Sequence, residues 1–145
     1  MKSRVILHPT DFSRASRAAF TRALADARAD RAELLLVHVV SMPFAGDGYM
    51  SPAAYADVLE SFRLHGQRQL DKLVAKAKAA GARARGLLLE GTAADAIVRT
   101  ARAKHADVIV MGTHGRTGVA KLLMGSVAQR VVGTAPCPVL TVGGK

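Results

Sequence analysis

Leu34 to Val40 reads Leu-Leu-Leu-Val-His-Val-Val, an almost unbroken apolar run. A strand of that composition needs cover on both faces, which a parallel sheet between two helical layers supplies and a one-sided antiparallel sheet does not. Arg4 to His8 and Asp107 to Met111 have the same character, Arg83 to Leu89 alternates before turning apolar, and Pro138 to Val142 is a short closing strand. Segments of helical period separate these runs. Thr10, Asp11 and Ser13 offer caps for a first helix to about Ala29, with Ala19, Phe20, Ala23, Leu24 and Ala27 on one face. Ser51-Pro52 opens a long second helix with the apolar stripe Tyr55, Leu59, Phe62, Leu70, Leu73 and Ala77; Gly66 weakens its middle and Gly81 ends it. Thr92 and Asp95 stand in capping-box positions for a third helix, buried through Ile97, Val98 and Ala101, and a fourth runs from about Ser126 to Val132. Repeated strand, helix, strand order with right-handed crossovers gives an α/β fold: a doubly wound, five-stranded parallel sheet with helices on both faces. Pro43, Gly46 and Gly48 make Ser41 to Ser51 a loop.

The 145 residues suit one domain, 1–145, with a core that needs no metal or disulfide staple. Cys137 stands alone, which excludes an internal disulfide, and no Cys/His cluster has zinc-ligand spacing. The apolar run before His8-Pro9 is too short for a signal peptide and none is long enough to span a bilayer, so the expectation is a cytoplasmic protein with no membrane partner. A formal charge of +10, from 21 Lys and Arg against 11 Asp and Glu, makes anionic partners plausible. Yet Arg14, Arg17, Arg28, Arg63, Lys72, Lys76 and Arg99 fall between apolar residues at helical spacing, as on a solvated helix surface. With aromatics at 4 % there is little for bases to stack on, and nucleic acid is the disfavoured partner.

Ligands of doubly wound sheets bind beyond the carboxyl ends of the strands, near the reversal of strand order. That directs attention to His8–Asp11, His38–Ser41 and Met111–Ser126. Gly112-Thr113-His114-Gly115-Arg116-Thr117-Gly118 leaves a buried strand, and Gly125-Ser126-Val127 begins a helix. Glycines admit positive φ and let backbone N–H groups approach a phosphate, while a helix start adds donors and the positive end of a dipole. Ser126 adds a hydroxyl, and His114, Arg116 and Lys121 offer hydrogen bonds or charge. A Walker loop would need Lys-Ser or Lys-Thr after its last glycine, and a dinucleotide fingerprint would need Gly-x-Gly-x-x-Gly after the first strand; neither is present. From spacing alone, a glycine loop holding no ligand remains the alternative.

Gly112, Gly115, Gly125 and Ser126 meet the pattern Gly, two residues, Gly, nine residues, Gly-Ser, which resembles the ATP-binding branch of the universal stress protein family. Ile6 to Ser13, Leu35 to Val40, Ala106 to Gly112 and Pro136 to Leu140 resemble that family's first, second, fourth and closing segments in order. The resemblance implies a Rossmann-like strand order 3-2-1-4-5. It implies adenine held by backbone groups at Val39 and ribose held by Asp11 and Gly112, beside Pro9, Thr10 and Met111. Phosphates would lie on Gly115, Gly125, Ser126 and Val127, under the loop from Thr113 to Val119 that contains His114, Arg116, Thr117 and Gly118. The implied ligand is ATP, ADP or AMP, with Mg2+ as a candidate companion. A homodimer through the edge strand Val139–Val142 is also implied, and an apolar edge strand does need protection. His8 departs from the aliphatic or aromatic residue usual there and is expected to alter the pocket floor.

Single residues carry plainer readings too. Asp11 serves equally as a helix cap, His38 reads as a hydrogen-bonded core histidine rather than a base, and Cys137 reads as a small buried hydrophobe. His114 is as well explained by exposure as by function. No catalytic residue and no metal site is assigned. The expected function is that of an adenine-nucleotide-binding stress-response or signalling protein with at most slow ATP hydrolysis. The alternatives are a nucleotide-independent dimeric module that recruits an unknown protein partner and, less favoured, a nucleic-acid-binding protein.

Overall fold

The computed structural model describes residues 2–41, 50–114 and 124–144. Five parallel strands, β1 (Val5–Pro9), β2 (Glu33–Val40), β3 (Arg83–Glu90), β4 (Val108–Gly112) and β5 (Val139–Val142), form one sheet in the order β3-β2-β1-β4-β5. The helices are α1 (Arg17–Asp30), α2 (Pro52–Ala79), α3 (Ala93–Ala103) and α4 (Ser126–Thr134). Alternation along the strands divides the core in two. Val5, Leu7, Leu35, Val37, Ile109 and Met111 meet α3 and α4 through Ile97, Val98, Ala101, Ala128 and Val131. Ile6, Leu34, Leu36 and Val110 meet α1 and α2 through Phe20, Ala23, Ala27, Leu70 and Ala77. Leu34 to Val37 is 0 % exposed, as its double-sided apolar character requires. Ala19 and Ala23 of α1 are equally buried, because a methyl group lets a helix lie close to a sheet.

Local details differ from the periodic reading. The first helix is preceded by a 3-10 turn, Arg14–Ser16, and Ser13 caps it by accepting from the Ser16 N–H at 3.3 Å. The Thr92–Asp95 capping box does not form: Thr92 makes no side-chain cap bond, and Asp95 accepts from Arg130 Nη2 at 3.0 Å, tying α3 to α4. Phe62 is 42 % exposed rather than part of the buried stripe, because α2 meets the sheet mainly through Gly66, Leu70 and Ala77. Gly66 does not interrupt α2. Gly81 does end it, at φ +92°, a conformation that costs glycine little. No helix among the described residues is long and apolar enough to cross a membrane.

Gly86 of β3 lies under α2 with no room to spare: a Cβ there would stand 2.8 Å from Leu70 Cγ and 3.1 Å from Val74 Cγ2. Leu70 is fully buried and has nowhere to retreat. Gly86→Ala is therefore expected to destabilise the fold by about 1–3 kcal/mol, the usual range for overpacking. Chemical denaturation checks this; an unchanged or raised midpoint would show that α2 shifts freely.

Candidate functional site

Strand order reverses between β1 and β4; Pro9, Thr10 and Asp11 sit where the chain leaves β1 and Met111 to His114 at and beyond the end of β4, while Val39 lies on β2 and Gly125 to Val127 start α4. β1 ends at Pro9, opposite Val37, whereas β2 continues to Val40. The last rung joins them through the Thr10 N–H and the Val37 carbonyl at 2.8 Å. In a continued parallel ladder, the next rungs would join the Thr10 carbonyl and the Phe12 N–H to the backbone of Val39. Side chains take those groups instead. His38 Nδ1–H donates to the Thr10 carbonyl at 2.8 Å, and the Phe12 N–H donates to Thr10 Oγ1 at 3.0 Å. Since backbone groups alternate sides along a strand, Val39 presents the same edge as Val37, beside the space from which β1 has turned away.

The turn leaving β1 is bent sharply. Phe12 has φ +62°, a left-handed conformation uncommon for an aromatic residue. Its ring packs on His38, with centroids 4.4 Å apart and planes at 39°. Asp11 Oδ1 accepts the Ser13 N–H at 2.9 Å, a bond that fixes the carboxylate at the strand end. Ser13, not Asp11, caps the following 3-10 turn. Thr10 is buried and its hydroxyl lies 3.2 Å from Ser16 Oγ.

On the β4 side, Met111 is buried and Gly112 faces the 3-10 turn so closely that a Cβ would meet the Ala15 carbonyl at 3.3 Å. Close approach, not positive φ, is what favours glycine there: among the described residues only Gly81 and Gly91 are glycines with positive φ. Thr113 joins three elements. Its N–H donates to the Val142 carbonyl at 3.1 Å, its carbonyl accepts from Gly125, and its hydroxyl lies 3.0 Å from His114 Nδ1. Gly125 is the N-cap of α4, at φ −71° and ψ 162°, and its carbonyl accepts from the Gln129 N–H at 3.0 Å. Ser126 and Val127 follow, both exposed. The first-turn N–H groups of α4 have no acceptor within their own helix and so form an anion-favouring end. Gly115, Arg116, Thr117 and Gly118 lie outside the described residues.

Other polar residues fall away from this place. His8 is 0 % exposed on the α1 side of the sheet, so it belongs to the core rather than to a pocket floor. Cys137 packs against the α3–α4 core; burial pushes its thiol up from the usual range and the Asp107 carboxylate adds to that, which disfavours thiolate chemistry. Among the described residues no group of three His, Cys, Asp or Glu could hold a metal ion. A recess of about 430 Å3 lined by Ala27, Arg28, Arg31, Ala32, Gly81, Ala82 and Arg83 opens at the opposite end of the sheet. Its cations stand where α1 and α2 end, a position that offsets helix dipoles. Sequence reasoning named Thr10 as a cap but missed its hydroxyl's bond to the Phe12 N–H, the strained Phe12 and the bond from His38 to Thr10. A threonine at a strand exit was the available signal for the first; the other two had none, since both need the strands aligned.

Fold and site together define a doubly wound α/β protein whose switch point opens onto a glycine-flanked helix start. The universal stress protein family profile matches residues 2–143, and the chain belongs to that family. The universal stress protein MJ0531 of Methanocaldococcus jannaschii is 39 % identical over 138 residues, which cover 94 % of this chain and 80 % of that one. Universal stress protein UspA from Lactobacillus plantarum superposes with a TM-score of 0.83 at 26 % identity, covering 98 % of this chain and 99 % of its own. A universal stress protein crystallised in complex with cAMP superposes at 0.67, with 26 % identity and full coverage of both chains.

Proposed function

We propose that this chain binds an adenine nucleotide and acts as a nucleotide-dependent stress-response or signalling protein, with at most slow hydrolysis. The observation that carries the reading is the mismatch in strand length at the switch point. β2 outruns β1, so the Val39 backbone edge stands beside the Asp11 turn, with Gly112 and the start of α4 across the reversal. An adenine edge needs one donor and one acceptor in line, which a strand backbone supplies. A carboxylate at a strand exit accepts ribose hydroxyls, and a helix start with a glycine cap accepts phosphate. Gly115 and the loop residues Arg116 to Gly118 complete the phosphate pattern in sequence. The cAMP complex of a relative supports the same ligand class. Mg2+ would accompany the nucleotide through its phosphates, and a homodimer would form along β5, which lies at the sheet edge with all four residues half-buried.

Titration calorimetry of nucleotide-stripped protein with ATP, ADP, AMP and adenosine, with and without Mg2+, tests this reading. Saturable binding of at least one adenine nucleotide is expected, and its absence in every condition would sink the proposal. Gly125→Gln puts a side chain at the phosphate seat and is expected to weaken ATP about tenfold while leaving adenosine unchanged, the loss of one or two phosphate hydrogen bonds.

A further inference from the structure

We infer that His38 is a positioning residue that keeps the adenine-recognising edge of Val39 open by occupying the backbone group that would otherwise close it. The inference rests on the nucleotide reading above and concerns how that site is held, not which ligand class it takes. The Thr10 carbonyl is the natural next partner of the Val39 N–H in the β1–β2 ladder, which is intact one rung earlier through Thr10 N–H and the Val37 carbonyl. A buried carbonyl must find a donor. At 2.8 Å the His38 ring supplies it, and because a carbonyl only accepts, Nδ1 carries the proton. The same ring backs Phe12 at φ +62°, a conformation that persists only when its surroundings hold it. One side chain thus anchors the Thr10 carbonyl where β1 leaves Val39 and supports the bend that places Asp11.

The far side of the ring is set by α2. Gly66 is buried there, and a Cβ on it would stand 3.1 Å from His38 Cδ2, 3.4 Å from Nε2 and 3.3 Å from Leu88 Cδ1. The glycine in the middle of α2 is therefore the space that the ring occupies. A side chain added at Gly66 would therefore press on the ring that holds the turn.

Three variants test the inference. His38→Leu removes the donor and keeps apolar bulk, His38→Asn restores an N–H near Nδ1, and Gly66→Ala pushes the ring without changing it. Affinities for adenosine, AMP and ATP are measured by calorimetry on folded protein, and amide exchange at Val39 is followed by NMR in the absence of nucleotide. His38→Leu is expected to bind all three ligands about tenfold more weakly, the scale of one hydrogen bond, because the device acts at the base and ribose end. The Val39 amide should exchange more slowly as Thr10 captures it, and His38→Asn should recover part of the affinity. A role confined to core packing would lower thermal stability without protecting Val39. Affinity within twofold of the parent in folded His38→Leu, or a loss confined to phosphorylated ligands, overturns the inference while leaving the nucleotide reading intact. If His38→Leu does not fold, Gly66→Ala decides: a several-fold loss of affinity supports the inference and unchanged affinity overturns it. A parent protein that binds none of the three ligands removes the nucleotide reading and this inference together.

Discussion

Asp11→Ala is expected to weaken adenine-nucleotide binding by about 10- to 100-fold, the range for hydrogen bonds to a charged group converted at 1.4 kcal/mol per tenfold. The carboxylate stands at the exit of β1, where Oδ1 already accepts the Ser13 N–H at 2.9 Å. Fixed in this way, it would meet the ribose hydroxyls of the proposed ligand without first losing rotamer freedom. Alanine removes both the acceptor and the turn bond, so Asp11→Asn is the necessary companion. Its amide oxygen keeps the Ser13 contact while the charge is lost, and an intermediate affinity is expected. Equal affinity in parent and Asp11→Ala, measured by calorimetry on variants with parental circular dichroism, would move the ribose role elsewhere and leave Asp11 as a turn residue.

Acid is expected to destabilise the fold through His8 well before carboxylates protonate. The ring is fully buried, Nδ1–H donates to the Val110 carbonyl at 2.8 Å, and Nε2 has no hydrogen-bond partner among the described residues. Burial lowers its pKa from 6.5 to about 4, against smaller opposing effects of the Val110 carbonyl and the Asp11 charge. Because the folded pKa lies below the unfolded one, the unfolded chain binds more protons between these values. Stability contributed by neutral His8 is complete above pH 6.5 and is lost as pH falls toward 4. At about 1.4 kcal/mol per pH unit, the loss across that window is about 3 kcal/mol. Urea denaturation at several pH values should show the slope, and His8→Leu should flatten it even if the variant begins less stable for want of a donor to Val110. Parallel pH profiles for parent and variant would refute the assignment.

The layer structure was legible from the chain itself. Periodicity and the unbroken run at Leu34 to Val40 depend on neighbours along the backbone, and a strand covered on both faces must be apolar at every position whatever its partners are. Helix boundaries were readable where the chemistry is local, as at Ser51-Pro52 and Gly81. They failed at Thr92, which makes no side-chain cap bond, while Asp95 pairs with Arg130 of α4 instead of closing a box. Phe62 has the right spacing for the apolar stripe, yet α2 meets the sheet elsewhere and leaves the ring exposed.

The candidate site divides in the same manner. Glycines at Gly112 and Gly125 and the acid at Asp11 could be named from sequence because chain position alone places them at strand and helix ends. Their physical reasons came from tertiary structure: Gly112 is favoured by the Ala15 backbone close beside it, and Gly125 starts α4 at an ordinary φ. His38 shows the division most clearly. Its place in an apolar strand marked it as a hydrogen-bonded core residue, and it is one. That its bond goes to Thr10, on a neighbouring strand that has just ended, follows from β1 stopping opposite Val37 while β2 continues. Sequence by itself determined the alternating elements, the two buried faces and the strand ends that hold the candidate residues, because hydrophobic period and turn chemistry are properties of the local chain. Only the tertiary structure decided register, and with it which backbone groups pair and which face the crevice, because hydrogen bonding between strands depends on their relative position and not on either strand alone.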